Sequence, residues 1–260
     1  MPLAPEERLK FFVYIVESPS ALDLYNGRHE GTMLRQSLQL SQISAIDHLA
    51  VTKEAFKAAL LIGLPEAMKL HSALIPIIHI SAHGDDNGLQ LADGSRIDWH
   101  ELKVLLQPIN KALNGFLLVC MSCCKGYFGV RMAMEIHDED APFFALIGNH
   151  DSPTWSETSI GFCTLYHLVN KGETVMDAVK CMNAAAGVTS FAGEKAEDTK
   201  KNYIEYCSQK QLAEAQATLT AASESAQISP PLAKFTTDIT PQTNVVTHTP
   251  ECLSTEKPSS

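Results

Sequence analysis

The sequence predicts an α/β fold, a mostly parallel sheet held between two layers of helices in a three-layer αβα sandwich. Two observations predict it. Short apolar runs bounded by glycines or small polar residues read as strands covered on both faces. Between these runs lie segments with apolar residues at helical spacing, and strands alternating with helices imply parallel pairing through crossover connections. At 260 residues and 45% apolar content, the chain is long enough for one sizeable α/β domain and a tail.

Phe11 to Glu17, aromatic and β-branched, is the first strand. The stretch from Ser18 breaks it and ends in an Asn26-Gly27 turn. Met33, Leu34 and Leu38 then fall at helical spacing, which predicts a helix over Glu30 to Leu40. Ile43 to Val51 is a short strand, and Lys53 to Lys69 is helical with a break at Pro65. Ala73 to Ser81 is the next strand, with His83-Gly84 just beyond it. Asn87 to Gly94 alternates and carries an Asp-Gly turn, the pattern of a β-hairpin. Asp98 caps a helix over Trp99 to Leu106, with Glu101 at capping-box spacing. Phe116 to Cys120 runs as a strand into a small-residue turn ending at Gly126, and Tyr127 to Ile136 is helical. Phe143 to Gly148 is a further strand, followed by helices over Ser156 to Asn170 and Thr174 to Ala186 with a Lys171-Gly172 break between them. Charged, alanine-rich residues from Glu194 extend a domain over residues 1–207 as helix to about Ala222. From Ser223 to Ser260, Ser, Thr and Pro dominate; such a segment buries too little apolar surface to offset its conformational entropy and is read as a disordered tail.

A net charge of −10 without a dense basic cluster argues against nucleic-acid binding. No apolar run approaches the ~20 residues that span a bilayer. The acidic, proline-containing start lacks the pattern of a signal peptide. Seven unevenly spaced cysteines, two of them adjacent at Cys123-Cys124, do not form a disulfide framework. The expectation is a reduced, cytoplasmic protein.

The chemistry-bearing residues gather at strand ends. In open α/β sheets, loops converge over the carboxyl edge and ligands bind there. Two apolar strands bring His83-Gly84 and Cys123 to that edge, 123 − 83 = 40 residues apart. A thiolate is a nucleophile, an imidazole exchanges protons with it, and a glycine N–H can receive developing negative charge. Other patterns are weaker. Cys120-Met-Ser-Cys123 has redox-pair spacing, but Cys120 lies inside a strand rather than at a helix start. Zinc would need a second ligand pair, which is missing. His79 shares a strand face with His83 and reads as a packed core residue. Gly148-Asn-His-Asp151 is similar to one box of the dinuclear metallophosphoesterases, whose other boxes are absent, so no metal and no cofactor is expected.

Ile78 to Gly84, ending small-small-His-Gly, and Leu118 to Gly126, containing Ser-Cys-x-x-Gly, together resemble the caspase-like cysteine peptidases, a superfamily that includes metacaspases, separases, gingipains, legumains and CHAT-domain peptidases. The hairpin and helix between the motifs also resemble what CHAT-type members place there. The resemblance covers roughly residues 9 to 190. It implies a six-stranded caspase-like αβα sandwich and an endopeptidase with a His/Cys dyad. His83 would be the general acid/base, Cys123 the nucleophile, and the N–H groups of Gly84 and Cys123 the oxyanion donors. Cys124 competes with Cys123: Cys124-Lys-Gly126 is similar to the Cys-Arg-Gly of animal caspases, whereas Cys123 fits the Cys-x-x-Gly of metacaspases and CHAT members and is preferred. Asp151, with Asp23 and Glu17, is expected to line the substrate pocket and favour cleavage after Arg or Lys. The partners implied are a protein or peptide substrate and a possible regulatory protein. The alternative readings are a catalytically silent caspase-like interaction module and a metal-dependent phosphoesterase.

Overall fold

The computed structural model describes residues 9–227, with side chains described to residue 221. Six strands form the main sheet: β1 (Phe11–Ser18), β2 (Ala45–Leu49), β3 (Ile75–Asp85), β6 (Leu118–Ser122), β7 (Ala145–Asn149) and β8 (Phe191–Lys195). A hairpin of β4 (Gly88–Gln90) and β5 (Arg96–Asp98) pairs with the end of β3. The spatial order is β2-β1-β3-β6-β7-β8, parallel throughout except for β8, which runs antiparallel to β7.

Alternation along each strand assigns the two layers. Phe12, Tyr14, Val16, Ile78, Ile80, Ala82, Val119 and Met121 face one apolar cluster. There they pack on α3 (Lys53–Ala58), α4 (Leu64–Leu70) and α5 (Trp99–Ala112) through residues such as Phe56, Leu64, Leu102 and Leu106. Phe11, Val13, Ile15, Ile77, Leu118 and Cys120 face the other cluster. That cluster is closed by α2 (Glu30–Leu40), α6 (Trp155–Asn170) and α7 (Val175–Ala186), through Leu34, Phe162, Leu165 and Met182. Strands buried on both faces are what the continuous apolar runs require. The predicted α/β sandwich is the fold observed.

Several elements differ from expectation, each for a local reason. A short helix α1 (Ala21–Tyr25) fills the stretch read as a break, nucleated by Ser20, whose hydroxyl accepts the Asp23 N–H at 3.1 Å. β3 runs on through His83 to Asp85 because β4 pairs with residues 83–85. Helix α5 continues past Leu106 to Ala112 with Pro108 inside it. Residues Gly126–Ala133 form a 3-10 helix instead of an α-helix. Its period of three puts Gly126 and Gly129 on one side, where a Cβ would stand 2.8 Å from the Met121 Cβ and 2.9 Å from a Leu146 methyl respectively. β8 is an extra edge strand; its Phe191 exchanges two hydrogen bonds with the Asn183 side chain on α7. The final helix, α8 (Ala196–Gln227), extends past the expected tail boundary at Ser223, and the remainder of that segment lies outside the described residues. One compact unit ends at Leu212 and a second begins at Ala213.

The predicted break at Pro65 is a widening rather than an end. Residues Ala59–Gly63 form a π turn between α3 and α4, and Pro65 sits in the first turn of α4, where its missing N–H is harmless. The Tyr14 hydroxyl enters this turn and donates to the Ala59 carbonyl at 2.6 Å. Gly63 makes room for it: a Cβ there would lie 2.5 Å from the Tyr14 oxygen but 3.7 Å from the ring carbon bearing it. Gly63→Ala is therefore expected to destabilise the wild type. In a Tyr14→Phe background it should instead stabilise, by about 1 kcal/mol from helix propensity. A urea-unfolding double-mutant cycle measures this, and equal effects in both backgrounds would remove the hydroxyl as the cause.

Candidate active site

The candidate site lies where β3 and β6 end. Their parallel register runs from Ile77↔Leu118 to Ser81↔Ser122, so paired residues share a face. His79, Ser81 and His83 therefore project toward the α2–α6 layer, as do Cys120 and Ser122. Beyond Ser122 the β3–β6 ladder has no further rung.

His83 is held by α1 and α6. Its Nε2 lies 3.3 Å from Oδ2 of Asp23, and its ring meets Trp155 edge-on with centroids 6.1 Å apart. Asp23 is buried, and its carboxylate also accepts the Ser20 hydroxyl at 2.6 Å and an Arg28 N–H at 3.3 Å. Burial pushes the Asp23 carboxyl up, but hydrogen bonds from Ser20, His83 and Arg28 outweigh it and hold the group below the usual carboxylate range. An ionised carboxylate can only accept, so Nε2 of His83 carries the proton and Nδ1 is left as the basic nitrogen. The sequence reading missed this pairing, since Asp23 is 60 residues from His83 and its stretch reads as a turn. A cleft of about 320 Å³, lined by Arg28, His29, Met33, Trp155 and Ser156 among others, shares Trp155 with the histidine's surroundings.

The two thiols sit in the turn after β6 and differ in burial. Cys123 is 3% exposed and belongs to the apolar cluster of Ala82 and Met121. A Cβ on Gly84 would stand 3.2 Å from its Sγ, and one on Gly126 would stand 2.9 Å from it. Gly84 is the residue after His83 on a continuous strand, so its Cβ direction is opposite to the imidazole's. Cys123 thus packs away from His83, and burial, with smaller contributions from Cys124 and Glu30, pushes its thiol far above the usual range. Cys124 is half-buried in the turn that follows β6, two residues past Ser122. The turn that carries both thiols is tightly bound. Gly84 lets the Cys124 carbonyl approach to 2.7 Å of where a side chain would begin, and Lys125, left-handed at φ 58°, donates its N–H to the Asp151 carbonyl at 2.8 Å.

Of the carboxylates expected to receive a basic substrate side chain, only Asp151 is exposed. Asp23 is engaged with His83. Glu17 is buried at the end of β1, where its carboxylate accepts the N–H groups of Gly31 and Glu30 at the start of α2. Its Oε1 has no hydrogen-bond partner, and burial raises its pKa above the usual carboxylate value. In the Gly148-Asn-His-Asp151 box, the Asn149 side chain accepts the Asp151 N–H at 2.6 Å and donates to Ser190 at 2.9 Å, while His150 lies against the Tyr127 ring. These contacts build a turn. No group of three His, Cys, Asp or Glu residues that could hold a metal ion occurs among the described residues, and no helix there is long and apolar enough to cross a membrane.

No family model and no curated protein matches the sequence. Among solved structures, the fold is similar to the complex of Porphyromonas gingivalis RgpB pro- and mature domains, at 11% identity and a TM-score of 0.44, over 75% of this chain and 49% of that one. The chain spans about half the length of that structure.

Two measurements follow from the geometry. Brief native-state treatment with iodoacetamide, mapped by tandem mass spectrometry, should label Cys124 well before Cys123, which reacts only on unfolding. The reverse order would mean that the turn presents the other thiol. Glu17→Gln should stabilise the protein increasingly as pH rises. A carboxyl whose folded pKa is raised loses stability as pH climbs from its unfolded value, about 4.3, through the folded one, and an amide does not titrate. Urea unfolding from pH 4 to 8 tests this, and a Gln-minus-Glu gap that stays flat or shrinks would refute it.

Proposed function

We propose that this chain is a cysteine peptidase of caspase-like type, with His83 and Cys124 as the reacting pair and Asp23 as the carboxylate that orients the imidazole. The observation that carries this reading is the acidic anchor on His83 Nε2. It leaves Nδ1 as the proton-accepting nitrogen at the carboxyl ends of two adjacent parallel strands, where the half-buried Cys124 follows in the next turn. In the proposed reaction Nδ1 takes the Cys124 proton, the thiolate attacks a peptide carbonyl, and the backbone N–H groups of Gly84 and the nucleophile receive the oxyanion. The imidazolium returns its proton to the departing amine, and water, deprotonated by the same nitrogen, hydrolyses the thioester. Asp23 keeps the ring in one tautomer throughout.

Cys123 remains the second reading, supported by its Cys-x-x-Gly126 spacing and by its close approach to Gly84. It requires the thiol to leave the apolar cluster before it meets the imidazole. Asp151, exposed beside the cysteine turn, is the group that would draw an Arg or Lys side chain. A protein or peptide is the substrate class, and a regulatory protein partner fits the same reading.

Cys124→Ala and His83→Ala are each expected to abolish cleavage of a peptide library while leaving the melting temperature within a few degrees. Asp23→Asn should lower kcat by two to four orders of magnitude, roughly the effect of disturbing the tautomer in a triad. Cys123→Ala should retain activity, and Asp151→Ala should weaken any preference for Arg or Lys. An inactive Cys123→Ala beside an active Cys124→Ala would move the nucleophile by one residue. A folded wild type that cleaves nothing and shows no His83-dependent thiol reactivity would favour the interaction-module alternative.

A further inference from the structure

Directly beneath the site, on the same face of the sheet, lies a carboxylate that the proposed reaction does not use. Glu30, at the first position of α2, is fully enclosed, with its side chain 1% exposed. Its oxygens accept the Ser81 hydroxyl at 2.6 Å and the Ser122 hydroxyl at 2.7 and 2.9 Å. His79 Nε2 stands 3.6 Å away, and the other nitrogen of that ring is 2.8 Å from the Tyr166 hydroxyl. The Glu30 N–H is itself held by Glu17 at the end of β1.

Stability alone does not account for this arrangement. Enclosing a carboxylate is costly, and replacing buried ionic groups with apolar residues of similar volume is often neutral or stabilising. Burial works against the ionised form of Glu30, yet His79, Ser81 and Ser122 outweigh it and hold the group below the usual carboxylate range. The anion is therefore kept by what it binds, and what it binds is informative. Ser81 and Ser122 are the last paired residues of the β3–β6 ladder; Ser81 is two residues before His83 on one face of β3, and Ser122 ends β6 where the turn carrying Cys124 begins. Past that rung no strand pairing fixes the separation of the two strand ends.

We propose that Glu30 is the positioning residue of the thiol–imidazole pair, its carboxylate bridging Ser81 and Ser122 so that His83 and Cys124 leave the sheet at a fixed spacing. This rests on the cysteine-peptidase reading above. Hydroxyl, carboxylate and hydroxyl form a continuous hydrogen-bonded link across the strand ends, in a dry layer where charge-assisted bonds are strong. Its second anchor, through the Glu30 N–H to Glu17, ties the link to β1, the neighbour of β3. Misplacing a reacting group by about 1 Å can cost two orders of magnitude in rate, so a rigid link at this rung has a direct kinetic effect.

The test reads the thiol itself and needs no substrate. The iodoacetamide alkylation rate of Cys124 is measured from pH 5 to 9 on the full chain, together with the melting temperature. The proteins are the wild type, His83→Ala, Ser81→Ala, Ser122→Ala, the double serine variant and Glu30→Gln. The expected result is a His83-dependent reactive component at and below neutral pH that falls about tenfold in each serine variant, with the double variant no worse than Glu30→Gln because all act through one link. The serine variants remove one hydroxyl each and keep the test valid if Glu30→Gln does not fold. A His83-dependent profile left intact in folded serine variants, or melting temperatures that fall while the profile stays, would overturn the positioning role and leave the peptidase reading standing. A wild-type profile indifferent to His83→Ala would overturn both.

Discussion

The parallel register between β3 and β6 is the constraint on which the site depends. Once Ser81 pairs with Ser122, strand alternation sends His83 toward α1 and α6 and sends Cys123 into the opposite apolar layer. A slip of one residue would place a charged network where Ile80 and Met121 now pack. The register is in turn over-determined. Ile78, Ile80, Val119 and Met121 fill one side without a polar atom, while Glu30 gathers the hydroxyls on the other. Glycines carry the rest: Gly84, Gly126 and Gly148 allow the cysteine turn to lie against β3 and β7 at distances that no Cβ would permit.

Polar groups on the α2–α6 face form a graded series from core to rim. Deepest are His79 and Tyr166, then Glu30 with its two serines, then Glu17 capping α2, then Asp23 with its partner His83 at the half-exposed edge. Neighbouring carboxyls are pushed in opposite directions along it, Glu17 up by burial and Glu30 down by its donors despite burial. Environments that separate the behaviour of like groups are typical of sites that handle protons. The opposite layer holds the hairpin, α3, α4 and α5 against an apolar cluster, and serves as the rigid backing for the rim.

The α/β class, the strand that carries His83 and the strand that leads to the cysteines are legible in the sequence because fully buried strands must be continuously apolar and helices must show their period. So is the hairpin at Asn87 to Gly94, whose Asp93-Gly94 turn needs a positive φ at glycine, here 85°. Elements set by neighbours rather than by their own pattern were not legible. The end of β3 is fixed by pairing with β4, the 3-10 geometry at Gly126–Ala133 by contact with Met121 and Leu146, and β8 by hydrogen bonds to α7.

The sequence by itself determined which residue types reach the carboxyl edge of the sheet: one histidine followed by glycine, two adjacent thiols, and acids scattered among the loops. Those are consequences of one-dimensional pattern. Only the tertiary structure decided what each group faces. Adjacent thiols are equivalent on paper, but in the fold Cys123 is enclosed in the apolar cluster of Ala82 and Met121 while Cys124 stays half-buried. Likewise Asp23, Glu17 and Asp151 are three loop carboxylates in the sequence. In the fold the first anchors His83, the second caps α2 and the third meets water, because chain separation says nothing about distance once six strands are laid side by side.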